Sequence, residues 1–212
     1  VGNQSFGIWA SDAEARLAVD GLTATNTIFG SPVLIQAANS LSIANSVLTY
    51  APPQGTGGNV LSVIGGAPLT MTNTVVASTT DDLSTAFTAN AAGVISISGS
   101  TISALSRAMD ITDTTVTLNS SVVVSGFAAI NLDNTVAFHF AINNTTVKHN
   151  TYAGGLDDSA IVLGGGATKY FVDSTLNGNA FCNVGTATPW FTSVFTGAPE
   201  LGSTFVLASQ FN

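Results

Sequence analysis

The residues of this chain that could do chemistry are chiefly two adjacent aspartate pairs, Asp81-Asp82 and Asp157-Asp158. Glycoside hydrolysis needs two carboxylates on either side of the scissile bond, and calcium is bound by carboxylate and carbonyl oxygens. Adjacent Asp side chains do not by themselves form either site. We therefore interpret both pairs as solvated loop charge, and keep calcium, held together with loop carbonyls, as the alternative.

The other reactive residues are isolated. Arg107 stands three residues before Asp110, a spacing that predicts a surface ion pair rather than the several convergent acids that a lyase would need. His149, beside Lys148, has no identifiable triad partner, and the single Cys182 is expected to be a small buried hydrophobe. Because phosphate-loop, zinc and nucleophile-elbow motifs are also missing, we predict no catalytic residues, no metal ligands and no cofactor, and favour a protein that is not an enzyme.

The composition excludes several classes of partner. Charged residues are 8% of the chain, against about 25% in a typical domain, and the net charge of −8 includes only four basic residues. Such a chain is poorly suited to nucleic acid or anionic membranes. The longest apolar run is well short of the ~18 residues of a membrane span. The start at Val-Gly-Asn suggests a mature form or an excised domain.

One repeated pattern organises the chain, and it is clearest between Arg107 and Thr146. Each unit has a strand A and a strand B with two apolar residues at period 2, then a turn and a strand C. The A strands are predicted at Ile8/Ala10, Val33/Ile35, Leu61/Val63, Phe87/Ala89, Met109/Ile111, Ile130/Leu132 and Ile161/Leu163. The B strands are predicted at Leu17/Val19, Leu41/Ile43, Leu69/Met71, Ile95/Ile97, Val116/Leu118, Phe140/Ile142 and Tyr170/Val172.

The turn after each B strand has a residue type of its own. Two residues after the strand stand Gly21, Asn45, Asn73, Gly99, Ser120, Asn144 and Ser174. Gly and Asn tolerate the left-handed conformation that a sharp bend needs. The next residue bears a hydroxyl in six of seven units, namely Ser46, Thr74, Ser100, Ser121, Thr145 and Thr175. Strand C is predicted at Thr23, Val47, Val75, Ile102, Val122, Val147 and Leu176.

Units of this length cannot bury their own apolar faces, so they must stack and pair each strand with its equivalent in the next coil. We predict an all-β fold, a right-handed parallel β-helix of about seven to eight three-strand coils. Residues 1–212 form a single domain, with regular coils over 5–176 and an irregular C-terminal cap and last coil over 177–212. The last coil would begin with an eighth A strand at Phe205/Leu207.

The coils carry a family resemblance. The segments Leu69–Val75 (LTMTNTV) and Val116–Val122 (VTLNSSV) resemble coils of the pectin-lyase-like superfamily, and most of all those of bacterial autotransporter passenger domains and surface adhesins. This resemblance covers about residues 5–176. It implies a secreted or cell-surface location, attached to the outer membrane in the parent protein, and a role in adhesion or aggregation. The polygalacturonases of the superfamily carry Gly-His-Gly and Arg-Ile-Lys motifs that this chain lacks.

The connections from strand C to the next strand A vary in length more than the other turns do. Long connections of this kind gather on one edge of a solenoid, and that edge is often the binding face. The long connections are Leu48–Asn59, Ala77–Ala86 and Lys148–Ala160. They supply the candidate binding residues Tyr50, Asp81, Asp82, Lys148, His149, Tyr152, Asp157 and Asp158. We expect a non-catalytic rod that binds a glycan, a host surface protein or its own copies through this edge. A carbohydrate-active β-helix, a lyase, a hydrolase or a phage tailspike fragment, is the alternative.

Overall fold

The computed structural model describes residues 8–10, 14–26, 33–36, 40–51, 57–79, 83–126, 129–133, 140–149, 161–163, 174–183, 195–196 and 205–211. These residues form β-strands and turns, with no helix among them. The strand pairings are parallel throughout the described segments, and equivalent strands of successive coils stack on one another. The fold is therefore a parallel β-solenoid, as the repeat predicts.

Three stacks of strands make up the solenoid. The first sheet contains β1 (Ile8–Ala10), β4 (Val33–Gln36), β7 (Gly58–Ile64), β10 (Ser84–Asn90), β13 (Arg107–Thr112), β16 (Ile130–Asp133), β19 (Ile161–Leu163) and β21 (Phe195–Thr196). The second stack contains β2 (Arg16–Asp20), β5 (Ser40–Ala44), β8 (Leu69–Thr72), β11 (Ile95–Ser98), β14 (Val116–Asn119) and β17 (Phe140–Asn143). The third contains β3 (Thr23–Asn26), β6 (Val47–Tyr50), β9 (Val75–Ser78), β12 (Thr101–Ala104), β15 (Val122–Ser125) and β18 (Thr146–His149). The long strand β20 (Ser174–Asn183) pairs with both β17 and β18, and so joins the second and third stacks into one sheet. It also pairs with β22 (Phe205–Phe211).

The predicted registers of strands A and B are confirmed through the first six coils. In the first sheet the directly paired residues are Ile8, Val33, Leu61, Phe87, Met109, Ile130 and Ile161. In the second stack they are Leu17, Leu41, Leu69, Ile95, Val116 and Phe140. Most of these side chains are fully buried, because period-2 alternation aims them into the interior.

Strand C differs from the prediction by one residue in two coils. Val75 pairs with Thr101 rather than Ile102, and Val122 pairs with Thr146 rather than Val147. The paired residues at this position face outwards; Val75, for example, is 37% exposed. The core of the third stack is instead built from the residue one position further along each strand. These residues are Leu48, Val76, Ile102, Val123 and Val147. The prediction selected the first apolar residue after each turn, and in these two coils that residue lies on the inner face.

The C-terminal strands are also placed differently. Ala141–Asn143 pair with Thr175–Asn177, so Leu176 takes a strand-B position and its prediction as a strand-C residue is wrong. The predicted B strand at Tyr170/Val172 lies outside the described residues. Phe205 pairs with Ser174, which makes Phe205/Leu207 part of a B-type strand rather than an eighth A strand. The A position is taken by β21, inside the segment predicted as a cap. An apolar-x-apolar triplet is compatible with strand A, B or C. It does not show how long the connection before it is, so it cannot tell which of the three strands it forms.

The turn between the second and third stacks is built as predicted. The residues Gly21, Asn45, Asn73, Gly99, Ser120 and Asn144 all have positive φ, between 48° and 67°. From the second to the sixth of these turns, the next residue has a buried side chain, and its hydroxyl makes two hydrogen bonds. Ser100 Oγ, for example, accepts from the backbone N–H of Thr74 at 3.1 Å and donates to the carbonyl of Ser98 at 2.9 Å. The same pair of bonds is made by Ser46, Thr74, Ser121 and Thr145. We call this column the hydroxyl ladder.

Candidate functional site

Two of the residues predicted to lie in the connections from strand C to strand A belong to a strand in the structure. Lys148 and His149 are the last two residues of β18, and the Lys148 side chain is half-buried on the outer face of the third stack. Their prediction as loop residues is therefore wrong. The other predicted members of the loop edge except Tyr50 lie outside the described residues, and these are Asp81, Asp82, Tyr152, Asp157 and Asp158.

Tyr50 belongs to the core and not to a binding edge. It ends β6 with no exposed surface, and its hydroxyl donates to the carbonyl oxygen of Gly57 at 2.8 Å. Gly58 has a φ of +140°, and a Cβ there would lie 2.8 Å from the Tyr50 hydroxyl oxygen. The ring thus packs directly on the backbone where the chain re-enters the first sheet. The prediction that Tyr50 lies in a connection is wrong, because it is a buried strand residue that fixes the connection after it.

A polar depression of about 250 Å³ lies on the outer face of the first sheet, across β7, β10 and β13. One row of its residues runs across directly paired positions of the sheet, from Ser62 to Thr88 and Asp110, and continues to Asn131 on β16. A second row, two residues further along the strands, consists of Ile64, Asn90 and Thr112. Neighbouring residues of a row are ~4.8 Å apart, the spacing of strands in a sheet.

Among the described residues, Asp110 is the only carboxylate that lines this depression. Its Oδ1 accepts a hydrogen bond from Asn131 Nδ2 at 2.9 Å, and its Oδ2 lies 3.7 Å from a guanidinium nitrogen of Arg107. The predicted ion pair between Arg107 and Asp110 is confirmed. Both side chains are about one-third exposed, at 39% and 31%, so solvent weakens their attraction. Asn131 is 8% exposed and holds the carboxylate in place from the next strand.

The remaining groups of the depression are neutral. Thr88 Oγ1 donates to Ser62 Oγ at 2.9 Å, a bond between adjacent coils. Asn59, Asn90 and Thr112 complete the polar lining. The arrangement offers a negative acceptor flanked by amides and hydroxyls, which suits hydrogen bonding to a polar ligand. Acid–base hydrolysis needs a second carboxylate across the bond, whereas the described lining contains Asp110 alone.

Sequence reasoning found Arg107 and Asp110 but missed the partners that make the site. Ser62, Thr88 and Asn131 stand between the two inward residues of their strands, in the outward position that Asp110 also occupies. The signal was therefore readable, since aligning the outward positions of the A strands gives Ser, Thr, Asp and Asn in successive coils.

The described residues contain neither a metal-binding cluster nor a membrane-spanning helix. No group of three or more His, Cys, Asp or Glu side chains comes together there as a metal would require. Nor does this part of the chain include a helix of the length and apolarity needed to cross a membrane.

Comparison with known proteins adds no relative. No family model, no curated protein and no solved structure matches this chain significantly. The conclusions on function therefore rest on the fold and on the depression.

Proposed function

We propose that this chain is a non-catalytic adhesin-type rod, secreted or held at a cell surface, which binds a glycan on the outer face of its first sheet. The proposal includes the finer assignment to the right-handed β-helices of autotransporter passengers, which the coil spacing and the turn residues support. The observation that carries the binding role is the row Ser62, Thr88, Asp110 and Asn131, in which three successive strand pairings align polar side chains in one line.

The non-catalytic part of the proposal is supported by the state of Asp110. Its carboxylate is held by the amide of Asn131 and lies beside Arg107, so it is oriented as a hydrogen-bond acceptor. Glycoside cleavage by acid–base catalysis needs a partner carboxylate on the other side of the scissile bond. The described lining of the depression includes no such partner.

The test is a glycan and matrix-protein array probed with the wild-type protein and with Thr88→Phe. The phenyl ring fills the depression at an outward strand position, where aromatic residues are well tolerated. The matched control is Thr117→Phe, an outward, half-buried threonine on β14 in the second stack. We expect saturable binding by the wild type and the control, and loss of binding by Thr88→Phe.

Two results would redirect the proposal. Binding that survives Thr88→Phe but disappears when residues 150–160 are shortened to a tight turn would assign adhesion to the connecting segments. Release of reducing ends or unsaturated uronate, with or without calcium, would show turnover and make the chain a carbohydrate-active enzyme.

A further inference from the structure

We propose that the depression takes a neutral, hydroxyl-rich sugar unit and disfavours uronates and other anionic sugars. This inference rests on the proposed glycan-binding function and specifies its ligand. It follows from the charge, the hydrogen-bonding capacity and the size of the depression.

The charge of the lining argues against an anionic ligand. Asp110 presents its carboxylate towards the depression, and the nearest described cation, Arg107, is already 3.7 Å from it. The pair sums to zero, which leaves no excess positive charge to hold a ligand carboxylate. The other described cations, Arg16 and Lys148, lie on β2 and β18, in different stacks. An acidic sugar seated here would bring a second negative charge close to Asp110, and like charges in a partly desolvated site repel each other.

The hydrogen-bonding capacity of the lining fits hydroxyl groups. An ionised carboxylate only accepts hydrogen bonds and offers about four lone-pair positions, of which Asn131 occupies one. Sugar hydroxyls can donate to the rest. Asn90 and Thr112, two residues further along their strands, provide both donors and acceptors for the hydroxyls on the other side of a ring. A hydroxyl-rich ring can therefore bond to both rows at once.

The size of the depression limits the affinity. Its volume of about 250 Å³ is below the ~300–1,000 Å³ of typical small-molecule sites. It therefore accommodates a short piece of a glycan, and a single contact should be weak. Strong attachment would arise from many rods meeting a repetitive polymer, since linked sites gain effective concentration.

The test compares immobilised neutral polymers (mannan, β-glucan and chitin oligosaccharides) with polygalacturonate and alginate. Asp110→Asn is measured beside Asp20→Asn, a matched control, because Asp20 also accepts a hydrogen bond from an asparagine, Asn45, at 2.9 Å. We expect the wild type to bind a neutral polymer with little dependence on salt. Asp110→Asn should weaken this binding about tenfold, the effect of losing a charge-assisted hydrogen bond, and Asp20→Asn should leave it unchanged.

A second variant keeps the test decisive if Asp110→Asn folds poorly. Asn90→Asp adds a negative charge at an exposed position of the lining. Because the amide donor is also lost, neutral binding should fall. Any residual binding of alginate should fall further, so the ratio of neutral to anionic binding should rise, and a ratio that falls would contradict the inference.

The failures of the two proposals can be distinguished. Preferential binding of polygalacturonate that falls with salt and rises in Asp110→Asn would overturn the neutral-sugar inference and leave glycan binding in place. Absence of saturable binding to either class of polymer, or equal binding by the wild type and Thr88→Phe, would overturn the proposed site and this inference with it.

Discussion

Ser100→Ala is expected to destabilise the solenoid far more than the loss of one hydroxyl from a surface would. The Ser100 side chain is 1% exposed, and its Oγ is the acceptor for the backbone N–H of Thr74 at 3.1 Å. Thr74 is itself fully buried, so the variant leaves its N–H without a partner and away from water. The carbonyl of Ser98 also loses a donor, but it keeps the backbone N–H of Asn73 at 3.0 Å.

The expected magnitude follows from these bonds. Stranding one buried donor costs about 1–3 kcal/mol, and the lost bond to the Ser98 carbonyl contributes less because that oxygen keeps one partner. We expect the free energy of unfolding to fall by about 2–3 kcal/mol, measured by urea denaturation with an unchanged m-value. Amide hydrogen exchange at Thr74 should accelerate most, because its own acceptor is gone.

Two control variants separate the hydroxyl ladder from general effects. Ser100→Thr keeps the hydroxyl and places at this position a residue type that the ladder already uses at Thr74 and Thr145, so it should cost less than about 1 kcal/mol. Ser103→Ala removes an outward hydroxyl of the same coil and should change stability by less than about 0.5 kcal/mol. If Ser100→Ala matched Ser103→Ala, the ladder would contribute nothing measurable and the reasoning would be refuted.

Three further predictions concern the backbone, and each is measured as a change in thermal midpoint and unfolding free energy. Gly126→Ala should lower stability by about 1–3 kcal/mol, because the new Cβ would collide with the carbonyl oxygen of Leu105. An unchanged stability would mean that the backbones at Gly126 and Leu105 can separate enough to accept a methyl group. Tyr50→Phe should cost about 1 kcal/mol by removing the bond to Gly57, and no loss would show that water replaces it. Asn45 has a φ of +49°, so Asn45→Ala should cost about 1–2 kcal/mol and Asn45→Gly less, and the reverse order would contradict the strain argument.

The predictability of this molecule differs between its repeat and its site. The inward residues of strands A and B were placed correctly from Ile8 to Phe140, because each coil buries the same two positions and a shift of one residue would expose them. Strand C was less well placed, because an outward Val75 and an inward Ile102 look alike in the sequence. Local apolarity cannot distinguish the two faces there; only the pairing with the neighbouring coil does.

The candidate site shows the same division. The Arg107–Asp110 pair was expected, since a three-residue spacing is local information. The contact between Asp110 and Asn131 joins residues 21 positions apart, and it exists because β13 and β16 pair in one particular register. Tyr50 was predicted on the connecting edge because it falls within the long connection Leu48–Asn59. In the structure it ends β6, and packing on Gly58 buries its ring.

The sequence by itself determined the fold class, the stacking of coils, the registers of the first six A and B strands and the left-handed turn residues. Each of these follows from short-range chemistry, which is repeated in every coil and therefore reinforced by every neighbour. The tertiary structure alone decided the register of strand C, the continuation through β20, β21 and β22, and the polar depression of the first sheet. These depend on which strands come to lie side by side, and that is settled by connection lengths and packing over the whole solenoid rather than by any single segment.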